Sequence, residues 1–188
     1  LDRAAFEARN DEYYEQYKAG TLDIFDYLAF QSGILVGKSP ETLAAWHAAY
    51  MEKAVRPMIL PKARELIDSH RGDLMAVVTA TNDFVTGPIA RELGIPHLIA
   101  SQLERDHRGF TGRGCGTPAF QAGKIIRVRE WLQSLGKDLS SFPRSTFYSD
   151  SRNDLPLLET VTHPVAVDPD PHLESVARER GWSIISLR

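Results

Sequence analysis

Two carboxylates four residues apart, Asp150 and Asp154, carry the clearest chemistry in this 188-residue chain. They stand in Ser149-Asp150-Ser151-Arg152-Asn153-Asp154, directly after the apolar run Phe147-Tyr148. One at a strand tip and one opening a helix can converge on a hard cation. Mg²⁺ suits such a site, because it takes few carboxylates and keeps several waters. The plainer alternative is an ordinary polar turn with Asp154 near a helix N-terminus. A second group, Thr79-Ala80-Thr81-Asn82, follows the apolar run Leu74-Met75-Ala76-Val77-Val78. Hydroxyls and free amides at a helix start form an anion site, and capping of that helix by Thr81 or Asn82 is the simpler use of the same residues. Lys124 follows Gly123 at the start of another helix, where its charge opposes the helix dipole. An anionic ligand would account for it, and a solvated lysine is the simpler reading.

The remaining candidates are weaker. His47, His70, His97, His107, His163 and His172 form no H-x-x-x-H pair, and capping or surface roles suit His163 and His172, which flank strands. Cys115 sits between glycines with no base beside it. A single cysteine also excludes an intramolecular disulfide framework and a multi-cysteine zinc site. The 22 basic and 25 acidic residues give a net charge of −3, no reason to expect nucleic acid or an anionic membrane as partner. With 43% hydrophobic and 25% charged residues, the chain is not of the disordered class. It has no apolar run near the ~20 residues of a membrane span and no secretory signal, so a cytoplasmic setting is expected.

The elements that must position these groups fall into two parts. Residues 1–56 read as helical. A first helix ends at Gly20, Thr21 can cap a second, and Ser39-Pro40 opens a third as N-cap and first-turn proline. Nine of the 17 aromatic residues lie in the first 50 positions, a density that suits a small helical unit short of core. Packing is therefore the expected use of Tyr13, Tyr14 and Tyr17, with lining of a cleft as the alternative. Residues 57–188 alternate helix and strand. The strands are expected at Leu74–Val78, His97–Ala100, Thr146–Tyr148, Val165–Val167 and Ser183–Ile185, with residues 102–117 as a hairpin excursion or loop. This alternation predicts an α/β, doubly wound parallel sheet, whose ligands bind beyond the carboxyl ends of the strands.

Taken in order, Val77-Val78-Thr79-Ala80-Thr81, then Gly123-Lys124, then Tyr148-Ser149-Asp150-Ser151-Arg152-Asn153-Asp154-Leu155-Pro156-Leu157-Leu158 resemble the second to fourth motifs of the haloacid dehalogenase superfamily, on its phosphoserine-phosphatase-like branch. The resemblance implies a Rossmannoid core over 57–188 and a small helical cap over 1–56. It implies a Mg²⁺-dependent hydrolase of small phosphorylated metabolites acting through an aspartyl-phosphate. In that scheme Thr79, Ala80 and Thr81 hold phosphate, Lys124 offsets charge as the catalytic cation, and Asn153 orients phosphate or a metal water. Asp150 ligates the metal, and Asp154 supports that ligand or reaches the metal through water.

One motif of the family is missing. No DxDx[TV], source of the nucleophile and the general acid, occurs in these residues, and the first methionine is Met51. The expectation is that Leu1 is not the biological start and that the motif's strand lies outside the sequence. The alternative is an inactive phosphate- or partner-binding module of the same fold. In the family that strand lies between the strands ending at Thr79 and Asp150, so the resemblance implies an unfilled slot between them.

Overall fold

A computed structural model describes residues 2–188. Helix α1 (Arg3–Ala19) is capped by Asp2, whose carboxylate accepts from the amides of Ala4 and Ala5. Its end is a Schellman motif: Gly20 takes φ 76°, its N–H donates to the Tyr17 carbonyl, and the Thr21 N–H donates to the Gln16 carbonyl. Thr21 therefore belongs to the close of α1. Asp23, not Thr21, caps α2 (Ile24–Gly33) by accepting from Phe25 and Asp26. Ser39 and Pro40 open α3 (Pro40–Tyr50), which a π-helical turn, Met51–Val55, and the short α4 (Arg56–Met58) extend. Phe6 stacks on Phe30 at 4.5 Å between ring centres, and Tyr13 packs against Tyr27 and Phe30.

The rest of the chain is α5 (Pro61–Ser69), β1 (Ala76–Asn82), α6 (Asp83–Glu92), β2 (His97–Asp106), β3 (Gly109–Cys115), α7 (Ala122–Ser134), β4 (Thr146–Ser149), α8 (Leu155–Leu158), β5 (His163–Val167), α9 (Pro171–Glu179) and β6 (Ser183–Ile185). β1 starts two residues later than its apolar run, because Leu74 is exposed. Residues 102–117 do form a hairpin excursion. β2 pairs parallel with β1 as far as Ser101, then antiparallel with β3 from Gln102–Cys115 to Asp106–Gly109. α2 lies against this hairpin through the buried cluster Leu28, Leu35, Leu103 and Phe110. The approach is close enough that a Cβ on Gly114 would stand 2.8 Å from the Leu28 side chain.

The parallel strands form two separate sheets, β1-β2-β3 and β4-β5-β6, and β1 and β4 are not hydrogen-bonded to each other. Between them lies a cavity of about 740 Å³. Ala76 and Val78 of β1, Thr146, Phe147 and Tyr148 of β4, Leu66 and Ile67 of α5, and Trp131 of α7 line it. The buried indole N–H of Trp131 has no acceptor. The two half-sheets are held by helices. Val128 and Leu132 of α7 join Ile99 of β2 and Leu157 of α8 in one core, with Val78 and Phe147 packed on it from either side. Leu158, Ala166, Leu173 and Ala177 make a second core beneath β4–β6.

Candidate active site

Thr79, Ala80 and Thr81 lie in the last part of β1, where its register with β2 breaks, Asp150 and Asp154 follow β4, and Lys124 is in the first turn of α7. At the tip of β1, the Thr79 hydroxyl accepts from the Thr81 N–H at 3.1 Å, which folds the 79–81 loop back on itself. The capping role falls to Asn82. Its Oδ1 accepts from Val85 at the start of α6, and its Nδ2 donates to Gln31 of α2. Thr79, Ala80 and Thr81 are half-buried, at a strand tip that runs into the N-terminus of α6.

Lys124 enters the interior because of the glycine before it. A Cβ on Gly123 would stand 2.2 Å from the Pro118 carbonyl, so only glycine lets the 117–120 loop pass over the start of α7. Lys124 is 4% exposed. Its Nζ lies 2.5 Å from Asp154 Oδ1 and 3.5 Å from the Val78 carbonyl of β1. The other Asp154 oxygen accepts from the Ser149 hydroxyl at 2.7 Å. Lys124 is the charge partner of the buried Asp154 Oδ1. The solvated lysine that sequence alone favours is thus a buried ion-pair partner.

Asp150 is different. It lies open to solvent just after β4, and no ion pair to it occurs among the described residues. Nearby protein atoms still desolvate its carboxyl and push its pKa up. The charges of Asp154 and Asp170 push the same way, against its own backbone amide and Lys124. Asp170 also fixes the turn, accepting from the Arg152 N–H and donating its own N–H to the Asp150 carbonyl. Asn153 is buried, with its side chain bonded to Tyr17 and Gln121. Tyr17 donates its hydroxyl to Ser151, and burial is the main reason its pKa is raised. Tyr13 is a core residue and Tyr14 is exposed.

The structure therefore brings Lys124 against Asp154 and the Val78 carbonyl of β1, sets Asp150 within reach of both charges, and bonds Asn153 to α1 and Gln121. Ser149, Ser151, Gln121 and Asp170 were not singled out in the sequence. Ser149 and Ser151 were nonetheless visible in the S-D-S string, where hydroxyls flank the carboxylate.

No cluster of three or more His, Cys, Asp or Glu residues suited to a metal occurs among the described residues. The donors present still fit a hard cation. Asp150 is an open oxygen ligand whose pKa is raised first by desolvation and then by the charges of Asp154 and Asp170, and Mg²⁺ accepts a carboxylate completed by water. Asp154, already engaged by Lys124 and Ser149, stands behind Asp150.

A parallel α/β core with polar residues gathered at the carboxyl ends of its strands is a Rossmannoid fold. The family model "haloacid dehalogenase-like hydrolase" matches residues 2–159. A histidinol-phosphatase of Neisseria meningitidis is 41% identical over 191 residues, covering 100% of this chain and 86% of that protein. The phosphoserine phosphatase SerB1 of Mycobacterium tuberculosis is 36% identical over 154 residues, and there the chain accounts for about half (49%) of the relative's length. A crystal structure of a protein of unknown function from Bordetella pertussis superposes with a TM-score of 0.93 at 46% identity, covering 100% of this chain and 85% of that one. The chain belongs to the haloacid dehalogenase-like hydrolase family, on its phosphoserine-phosphatase-like branch. Its class is that of the haloacid-dehalogenase-type phosphatases.

Proposed function

We propose that this chain forms most of a cytoplasmic, Mg²⁺-dependent phosphomonoester hydrolase of a small phosphorylated metabolite, acting through an aspartyl-phosphate. The observation that carries the reading is the buried Lys124–Asp154 pair at the mouth of the slot between β1 and β4, with Asp150 open beside it. A strand filling that slot would pair with both β1 and β4. A carboxylate at its tip would emerge among Thr79, Lys124 and Asp150.

In this reading the substrate phosphate sits on the β1 tip. The Thr79 hydroxyl and the amides of Ala80 and Thr81 bind its oxygens at the start of α6. Lys124 lowers the cost of bringing a dianion next to carboxylates. The carboxylate on the inserted strand attacks phosphorus, the phosphorus–oxygen ester bond breaks, and the alcohol leaves with a proton from a general acid on the same strand. Water then cleaves the acyl phosphate to inorganic phosphate. Asp150, with Asp154 behind it, would hold Mg²⁺, which when bound neutralises phosphate charge.

Histidinol phosphate and phosphoserine, taken from the relatives' names, are the first substrates to assay. In the complete protein, Mg²⁺-dependent release of phosphate from one of them is expected. Asp150→Asn should lower turnover about a hundredfold or more, the scale of losing a charge-stabilising group at a reacting centre. Calorimetric titration with Mg²⁺ should show binding to the wild type and none to the variant. No phosphate release and no Mg²⁺ binding by the wild type would favour an inactive binding module instead.

A further inference from the structure

The turn that carries Asp150 and Asp154 is bonded to the last turn of α1, 134 residues earlier. The Tyr17 hydroxyl donates to Ser151 Oγ at 2.9 Å, and that oxygen also accepts from the Asn153 N–H at 3.2 Å. Asn153 Nδ2 donates to the Tyr17 carbonyl at 2.9 Å. This carbonyl already takes the Gly20 amide and has a second lone pair to offer. A third residue closes the circuit: Gln121 Nε2 donates both to Asn153 Oδ1 and to the Gly20 carbonyl, each at 3.3 Å.

Gln121 has φ 45°, a conformation that residues with a side chain rarely adopt. Although it stands at the N-cap position of α7, its side chain makes no cap. Its amide instead joins α1 to the 150–154 turn. Asn153 is 5% exposed and has both ends of its amide engaged, one by the last turn of α1 and one by Gln121.

We propose that Tyr17, Gln121 and Asn153 are positioning residues that lock the last turn of α1 onto the 150–154 turn, so that the helical segment sets where Asp150 stands. The lock acts on Asp150 through the turn that both share. Only the kinetic consequence of the lock depends on the phosphatase reading.

The test uses the complete protein and two variants, Asn153→Ala and Tyr17→Phe. Hydrogen exchange should quicken together in residues 16–20 and 150–154. The change should be about tenfold in Asn153→Ala and severalfold in Tyr17→Phe, as expected for losing bonds of this kind. With p-nitrophenyl phosphate, kcat should fall while KM and inhibition by inorganic phosphate stay at wild-type values. Wild-type exchange at 16–20 in both variants overturns the lock. So does a rise in KM and in the phosphate inhibition constant with exchange unchanged, the signature of direct phosphate contact. Should Asn153→Ala not fold, Tyr17→Phe decides, since it removes one hydroxyl and keeps the ring. A wild type that hydrolyses no phosphomonoester removes the phosphatase reading, and the exchange data still support or overturn the lock.

Discussion

Two ties cross from the β1 side of the slot to the β4 side. At the strand tips, Lys124 reaches the Val78 carbonyl of β1 and the carboxylate of Asp154 beyond β4. Before β1, His70 reaches the Tyr148 hydroxyl of β4 at 2.8 Å through Nε2, while its Nδ1 lies 2.7 Å from Asp73. A carboxylate only accepts, so Nδ1 carries a proton, and in the neutral ring Nε2 accepts from Tyr148. The Lys124 and Asp154 side chains are 5% and 8% exposed, those of His70 and Asp73 28% and 66%. The two ties join the same halves in different media. Breaking a buried pair strands a charge in the interior, whereas water can replace most of what an open hydrogen bond provides.

Lys124→Ala should therefore give the largest effect. Leaving Asp154 buried and unpaired should cost about 3–5 kcal/mol in denaturant unfolding. This revises what a solvated lysine would predict, namely lost activity with an intact fold. Lys124→Met combined with Asp154→Leu removes both charges and should recover much of the loss. A single variant within 1 kcal/mol of wild type by the same measurement would mean that the tip is not tied as described.

Tyr148→Phe should cost less, about 1 kcal/mol, because one half-open hydrogen bond is lost and the ring stays in place. His70→Ala in the Tyr148→Phe background should then add little, since both changes remove the same bond. Additive losses in this cycle would show that His70 stabilises the protein through Asp73 or packing alone. The ranking of Lys124 above Tyr148 is the quantitative content of the comparison.

The sequence shows the elements better than it shows these ties. Strand positions follow from short apolar runs, and helix ends from Gly20, Gly94 and Gly136, because each signal is local. The cap of α2 fails for a local reason of another kind: Thr21 and Asp23 are both competent, and the Schellman end of α1 claims Thr21. Lys124 is the instructive case. The Gly123-Lys124 string marks it, yet its burial depends on β1, the 117–120 loop and Asp154 meeting at one point, which no window of sequence contains. Asn153 shows the reverse: a motif position suggests phosphate, and two partners more than thirty residues away turn it toward α1. The segment 102–117 reads as a hairpin excursion or a loop, and the choice stays open in the sequence because Gly109, Gly112 and Gly114 dilute the alternation that marks strands.

The smallest effect is expected at Asp150, and its sign differs from the others. Burial by neighbouring atoms and the charges of Asp154 and Asp170 raise the pKa of Asp150 in the folded protein. The native state thus holds this proton more tightly than the unfolded chain does. With more protons bound in the native state, stability falls as pH rises. The loss begins near the unfolded value of about 3.9 and is complete above the raised folded value. At neutral pH the ionised Asp150 therefore destabilises the protein slightly, the effect being reduced by solvent screening because the residue is exposed. Asp150→Asn should raise the melting temperature a little at pH 7 and leave it unchanged below the unfolded pKa. Mg²⁺ should raise the melting temperature of the wild type and not of the variant, because a cation relieves the same repulsion that the substitution removes. A variant that melts lower than wild type at pH 7 in the absence of Mg²⁺ would show that Asp150 supports the turn structurally, leaving Lys124 and Asp154 to define the charge balance at the strand tips.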